Sequence, residues 1–581
     1  MKKMSTDYLL LEFPPVSTES WEEVIRKDLK GADYAKKLIW QTEEGLAVKP
    51  YYRADDITGL EYPDAAPGAF PYARGNRSTG DWRIREEIDA VDPEEANQAA
   101  HAAVHAGAEE IAFSNAVIAN ASDLGMLFSK LNEIPLHLQN AGEAQLRLLM
   151  ERKKPAQIST GWNPLSNLDF AAEVIAAAPS SLVPFTIHGE EFEESGATAV
   201  EDVGFALAAG ADFLAEMQTR KVNISHAASS LTFSFAIGGN FFFQIAKLRA
   251  FRMAWARVVD CFGGSRESEK ARIHARTSRW NETIYDPHVN ILRGTTEAIS
   301  AILGGADSLT VAPFDECYKA PDEASRRLAR NTQIILKHEA LLFRVADPGA
   351  GSYSLEMITD FIAREGWKSM QIIEAAGGYL KAQAEGRIAQ ALAKSLAARD
   401  KAVSSRRRIF TGTNQHANLT EKALDRIDFS RPASVHRGTE LYEQLRLRTE
   451  CHAAKTGKTP RVLLAEIGDA KMRSARSGFA ANFFGCAGFD LVTKRFASAD
   501  EIAAFEADLI VLCSSDAEYL ALATDVIARL KALGRNTSVV IAGNPDSVEQ
   551  LQAAGVADFV HVRSNPIELL AKWQQLLGIK D

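Results

Sequence analysis

The stretch Val462–Leu463–Leu464–Ala465–Glu466–Ile467–Gly468–Asp469–Ala470–Lys471–Met472–Arg473–Ser474 reads as a strand, a turn and the start of a helix. Val462 to Ile467 is an apolar run of strand length. Gly468–Asp469 breaks it, and Phe479, Phe483 and Phe484 then recur at helical spacing. Further strand-like runs follow at Leu491–Thr493, Leu509–Leu512, Val539–Ile541 and Phe559–Val562, with amphipathic segments between them. Repeated βα units over residues 460–581 predict an open, doubly wound parallel sheet of the flavodoxin-like kind. Such sheets bind ligands beyond the carboxyl ends of their strands, and Asp469 falls on that edge.

Upstream, residues 66–400 repeat the same alternation on a larger scale. Strand-like runs stand at Glu110–Phe113, Pro135–Leu138, Ala156–Ser159, Val183–Ile187, Phe213–Glu216, Ala271–Ala275 and Leu309–Ala312, separated by Ala-rich helical segments. Units of this spacing over so long a region favour a (β/α)8 TIM barrel, with an open doubly wound sheet as the second reading. Residues 1–65 form an arm that opens with Phe13–Pro14–Pro15 and a short helix from Trp21 to Leu29, with Ser20 as its expected cap. The arm is too short to bury Trp21, Trp40, Tyr51 and Tyr52 within itself, so it must lie on another surface. Residues 401–459 carry Arg406–Arg407–Arg408 and few apolar residues in register, as expected of a linker with a solvated charged face.

Composition narrows the function. The net charge of −10 argues against a nucleic-acid or membrane surface. The five cysteines are scattered without Cys-x-x-Cys spacing, which fits a reducing compartment and offers no zinc site. No uncharged apolar stretch reaches membrane-spanning length, and the N-terminus reads poorly as a targeting peptide; a cytoplasmic location is expected.

Several long blocks resemble one family. They are Glu297–Ala298–Ile299–Ser300–Ala301–Ile302–Leu303–Gly304–Gly305–Ala306–Asp307, Arg276–Thr277–Ser278–Arg279–Trp280–Asn281, Tyr285–Asp286–Pro287–His288–Val289–Asn290, Gly239–Asn240–Phe241–Phe242 and Ile245–Ala246–Lys247–Leu248–Arg249–Ala250. Together they resemble methylmalonyl-CoA mutase over nearly the whole chain. The resemblance implies a barrel that takes an acyl-CoA ester along its axis and a C-terminal domain that caps it with adenosylcobalamin. The cofactor's radical then interconverts methylmalonyl-CoA and succinyl-CoA.

Against that pattern the chain departs at its chemistry. The family's corrin loop is Asp-x-His-x-x-Gly, its His being the cobalt ligand; here Asp469 remains, but Lys471 stands at the His and Ser474 at the Gly. An ammonium has three donors and no lone pair, so it cannot ligate a metal. The family's His that donates to the thioester carbonyl corresponds to Glu191, within Gly189–Glu190–Glu191–Phe192–Glu193–Glu194, and an ionised carboxylate only accepts. After Phe70–Pro71–Tyr72–Ala73–Arg74–Gly75 the family's reactive-centre Tyr has no clear counterpart. Ser514 and Gly543 match corrin-contacting positions, although Ser and Gly are common in any such turn.

Plainer readings stand beside these. Asp469 suits a helix N-cap, Lys471 a free surface lysine, His274 a core residue on a barrel strand, and the four glutamates a solvated loop. The resemblance and its departures together imply a non-catalytic subunit of a heterodimeric mutase. No catalytic residue, metal or cofactor is expected in this chain, and adenosylcobalamin is expected in the catalytic partner. Two alternatives remain open: a mutase-family enzyme on another acyl-CoA, and an acyl-CoA-binding regulatory module.

Overall fold

Pro184 has no N–H to give to a ladder, and it divides one strand of the largest sheet into Leu182–Val183 and Phe185–His188. The computed structural model describes residues 16–152, 157–431 and 435–580. Counting the divided strand once, eight parallel strands follow in chain order. They are β1 (Arg83–Ile88), β2 (Glu110–Phe113), β3 (Leu136–Leu138), β4 (Ile158–Thr160), β5 (Leu182–Val183 with Phe185–His188), β6 (Leu231–Ile237), β7 (Ile273–Thr277) and β8 (Ser308–Thr310). The first part of β5 pairs with β4 and the second with β6, while Thr186 N donates to Trp162 O at 3.0 Å just past β4. Ser308 opposite Arg83 and Leu309 opposite Ile84 join β8 to β1, so the sheet closes as the expected barrel.

One expected strand is a helix. Phe213–Glu216 lies inside Ala199–Thr219, whose start is fixed by a capping box between Thr198 and Glu201. Its apolar residues surround the helix because it is buried between neighbours: a Cβ on Gly210 would meet the Trp255 ring at 2.4 Å, and one on Gly204 would meet Ser369 at 2.5 Å. A helix apolar on all sides mimics a buried strand over any four residues.

Two barrel strands have no counterpart among the expected runs. β1 carries Arg85, Glu86 and Glu87, charges that read as loop until their partners are known. β6 alternates Thr232 and Ser234, which line the barrel interior, with buried Leu231, Phe233 and Phe235; the Phe233 ring lies 4.7 Å from Trp255 and Phe235 lies 4.8 Å from Phe251. Ala156 and Phe13–Pro14–Pro15 lie outside the described residues.

The C-terminal sheet has β9 (Arg461–Glu466), β10 (Asp490–Arg495), β11 (Leu509–Cys513), β12 (Ser538–Ala542) and β13 (Asp558–Val560), all parallel in the order β10–β9–β11–β12–β13. That is the flavodoxin-like order. Alternate residues of β9 enter different cores: Val462 and Leu464 on one face, Leu463 and Ala465 on the other. Within 401–459 the helix Glu440–Thr456 sets Tyr442 and Leu445 into the first of these cores. The arginine run is not all solvated: the Arg408 guanidinium lies 4.3 Å over the buried Trp280 ring. The arm's helix spans Thr18–Asp28, and its cap is Ser17, whose side chain accepts from Ser20 N. Part of the arm packs on its own barrel, with Tyr62 donating to Glu356 O at 2.8 Å and Trp40 lying 5.8 Å from Phe243.

Candidate functional site

The barrel axis is occupied by the chain's own charged side chains. Arg85 Nε donates to Glu110 at 2.9 Å. Arg276 pairs with Glu87 at 3.2 Å and with Glu316 at 2.7 Å. Arg279 extends the network to Glu316 at 3.2 Å and Glu194 at 3.3 Å. His137 lies between Ser159 at 2.9 Å and Gln139 at 3.0 Å, and His274 bonds Ser308 at 2.8 Å, so His274 has the core role its strand position suggested. Burial, aided by the Arg85 charge, holds both imidazoles well below their ordinary pKa and therefore neutral. Between Arg85, Glu87, His137, Glu190, His274 and Arg276 only about 20 Å³ stays free, room for about one water molecule.

The glutamates after β5 form the helix Gly189–Glu194 rather than a solvated loop. Glu190 turns inward, accepting from Ser234 Oγ and pairing with His188 at 2.8 Å. Burial alone would lower the His188 pKa, but the Glu190 charge raises it to about 9. Glu193 accepts from Ser278 Oγ at 2.9 Å and from Arg399 at 3.0 Å. Glu191, at the position where the family resemblance implies a carbonyl donor, is the exposed member of the set. The residues that face the barrel mouth are thus Glu190 and Glu194, which the sequence suggested as part of a solvated acidic loop. Phe70–Gly75 lies at the other end of the barrel, where Arg74 is buried against Glu356 at 2.6 Å and Asp347 at 2.9 Å.

A cleft of about 610 Å³ opens beyond the carboxyl ends of β1 and β8. Arg330, paired with Glu86 at 2.6 Å, and Val311, Tyr318, Phe429 and Arg437 line it. Burial raises Glu194 to about 7 and Glu282 well above the usual carboxylate range, although Arg276 and Arg279 lie close enough to oppose both shifts. Cys317 lies here too, and burial pushes its thiol up, the reverse of an activated nucleophile.

At the switch point of the C-terminal sheet, Gly468 takes φ +77°, and a Cβ there would meet the Glu518 carboxylate at 2.4 Å. Asp469 caps the helix Ala470–Gly485, its side chain accepting from Met472 N at 2.8 Å. Lys471 and Ser474 are exposed on that helix. Ser514 is buried and donates to Glu518 at 2.7 Å, with Ser515 Oγ at 2.6 Å and Asp469 N at 3.2 Å donating to the same carboxylate. These bonds, Ser515 first among them, hold Glu518 at a pKa of about 2. Tyr519 fills the space between β11 and β12. Its hydroxyl donates to Ala542 O at 2.7 Å and accepts from Ser514 N at 3.1 Å. A Cβ on Gly543 would lie 3.2 Å from that ring, and Arg476 pairs with Asp516 at 2.9 Å beside it.

The structure therefore gathers Asp469, Ser514 and Gly543 at one edge and leaves Lys471 and Ser474 outside the crevice. Glu518 and Tyr519 escaped the sequence reading. The spacing Ser515-x-x-Glu518 after a strand, a capping-box pattern, was the available signal. Among the described residues no group of three His, Cys, Asp or Glu side chains is placed to hold a metal.

A closed barrel and a flavodoxin-like sheet in one chain define a two-domain α/β protein. The family model described as methylmalonyl-CoA mutase matches residues 41–121 and 166–461. A methylmalonyl-CoA mutase small subunit from Porphyromonas gingivalis is 37% identical over 98% of this chain and 99% of its own length. A small subunit from Streptomyces virginiae is 31% identical over 98% of each chain, and one from Propionibacterium freudenreichii subsp. shermanii is 29% identical over 90% of this chain and 88% of its own. The chain belongs to the methylmalonyl-CoA mutase family, a family of isomerases.

Proposed function

We propose that this chain is the non-catalytic subunit of a heterodimeric, adenosylcobalamin-dependent mutase that interconverts methylmalonyl-CoA and succinyl-CoA. The observation that carries the reading is that both ligand positions are filled by the chain's own side chains. The barrel axis retains pockets of about 20 and 40 Å³ beside the Arg85–Glu87–Arg276 network, far too little for an acyl thioester. The corrin crevice holds Glu518 and Tyr519, and Lys471 stands where the cobalt ligand would be. The residues do not fit cobalamin, so the chain's contribution is to support a partner that carries cofactor and chemistry. The names of its full-length relatives support the same role.

The reading of an enzyme on another acyl-CoA is disfavoured by the same two observations. An acyl-CoA-binding regulatory module would have to use the 610 Å³ cleft, where Arg85, Arg279, Arg326, Arg330, Arg431 and Arg437 are outnumbered by acidic side chains, so no excess of positive charge awaits a polyanionic ester. A cytoplasmic location goes with the reading. The five cysteines are free, and among the described residues no helix is long and apolar enough to cross a membrane.

The test is co-expression with the catalytic mutase subunit of the same organism. A one-to-one complex with corrin bound only when the catalytic subunit is present supports the reading. Succinyl-CoA formation by this chain alone, supplied with adenosylcobalamin, would overturn it.

A further inference from the structure

The cleft beyond the carboxyl ends of β1 and β8 gathers buried polar side chains whose hydrogen-bonding capacity the fold leaves unused. Thr310, Glu282 and Arg330 line it and are 2%, 6% and 4% exposed. Thr310 Oγ1, Glu282 Oε2 and Arg330 Nε have no hydrogen-bond partner among the described residues, nor has Nη1 of Arg437 on the same wall. They come from separate segments: the end of β8, the turn after Arg279–Asn281, the helix Glu323–Ile334, and the chain just before the helix Glu440–Thr456. Each unsatisfied buried group costs stability, so their convergence on one cleft calls for a cause.

The charges decide what could satisfy them. Arg330 is paired with Glu86 at 2.6 Å and Arg437 with Glu443 at 2.7 Å, so each guanidinium offers a spare N–H rather than a spare charge. Glu282 is the converse, a carboxyl that burial first, and Glu316 next, pushes toward its neutral form. A cation placed beside it would return it to the charged form. Against burial, the Glu443 charge raises the Arg437 pKa, and Glu282 is near enough to add to the rise. An anionic acceptor for Arg437 and a cationic donor for Glu282 are therefore wanted close to one another. A simple carboxylate would serve the first and leave the second, and a simple amine the reverse.

The remaining wall is apolar. Ile284 and Tyr318 belong to a small buried cluster on which Ile427 and Leu447 pack, and all four line the cleft. Phe429 stands among them, 67% exposed. We infer that this cleft binds a small zwitterion, an α-amino acid with an apolar side chain, its carboxylate on Arg437 and its ammonium on Glu282. The volume of about 610 Å³ is that of a small-molecule site. A zwitterion brings no net charge to walls whose arginines are already paired, and its side chain meets the apolar face. Such binding needs neither cofactor nor catalysis, so it stands with or without the non-catalytic role.

Isothermal titration of the full chain with L-leucine, L-valine and L-phenylalanine tests the inference. At least one should bind saturably, with a dissociation constant below about 10 mM. Three analogues of the tightest binder then separate the contacts: the acid without its ammonium, the amine without its carboxylate, and the N-acetyl amide. For leucine these are 4-methylpentanoate, 3-methylbutylamine and N-acetyl-L-leucinamide. Each should bind about ten-fold more weakly or worse, because each leaves a buried group unpaired. Glu282→Gln keeps the shape of the side chain and should weaken the amino acid by about ten-fold. If its thermal melt shows misfolding, the analogue series on the unaltered chain decides alone. Absence of binding by all three amino acids overturns the inference. An analogue as tight as its parent overturns it too, because the cleft then reads a single charge or a peptide group. Unchanged affinity in a folded Glu282→Gln chain places the amino acid elsewhere and removes this site.

Discussion

The hydroxyl of Tyr519 lies 2.7 Å from the carbonyl oxygen of Ala542, bridging the carboxyl ends of two adjacent strands where the fold would otherwise leave a crevice. The ring belongs to the protein's own core, is fully buried, and approaches Gly543 closely enough that an added Cβ would touch it at 3.2 Å. On the proposed reading, cobalamin is opposed here by shape as well as by Lys471 in place of an imidazole, through different residues on different elements.

Restoring the ligand alone should therefore fail. Lys471→His places an imidazole on the exposed first turn of its helix but leaves Glu518 and Tyr519 in place. Ultraviolet–visible titration of this variant with adenosylcobalamin should show no stoichiometric spectral shift, and no succinyl-CoA should form without the partner. A saturable shift would mean that the crevice opens on demand.

Removing the Tyr519 hydroxyl should cost stability. Tyr519→Phe leaves the buried Ser514 N and Ala542 O without this partner, a loss of about 1–3 kcal/mol. Urea denaturation followed by circular dichroism measures it. An unchanged midpoint would mean that water or a shifted strand end replaces the hydroxyl.

In the barrel, Arg276 neutralises Glu87 and Glu316 together. Arg276→Met should destabilise the fold by about 1–3 kcal/mol, because it leaves the half-buried Glu87 without its cation while Glu316 keeps Arg279. The double variant Arg276→Met/Glu87→Gln should recover part of that loss. A single variant as stable as the unaltered chain would show that water reaches these carboxylates.

His188 gives a pH dependence with a definite sign. Its pKa rises from 6.5 to about 9 on folding because of Glu190. The stability it contributes is fully present below pH 6.5 and is lost as pH rises through about 9. Relative to His188→Asn, the unaltered chain should lose stability between those limits. Parallel stability curves for the two proteins over that range would remove the imidazolium–carboxylate pair from the account.

Trp21 and Trp40 are the two exposed members of the chain's eight tryptophans, and both lie in the arm. Trp21→Ala should leave the melting temperature nearly unchanged while weakening the complex with the catalytic subunit by about 2 kcal/mol, as an aromatic anchor does. Analytical ultracentrifugation of the mixed subunits reads the dissociation constant. Unchanged assembly together with a lower melting temperature would assign Trp21 to packing within this chain.

Periodicity alone determined the five strands of the C-terminal sheet and their single switch point. A parallel sheet buried on both faces writes each strand as a short apolar run, and β9, β11 and β12 are such runs. Local chemistry also determined the cap role of Asp469, since the N-cap bond to Met472 spans only three residues. The barrel was legible as a repeat but not in every strand. β1 stayed hidden because Arg85 and Glu87 are buried by partners 25 and 189 residues away, and Phe213–Glu216 posed as a strand because its helix is apolar on all sides. The substitutions Lys471 and Glu191 were visible at once, but what occupies each ligand position was decided only by the tertiary structure. Filling a cavity depends on side chains from distant segments meeting at one point, as Arg276, Glu87 and Glu316 do on the barrel axis and Tyr519 and Ala542 do at the sheet edge. No local pattern records such a meeting, because close packing constrains the combined volume of those side chains and not the identity of any one of them.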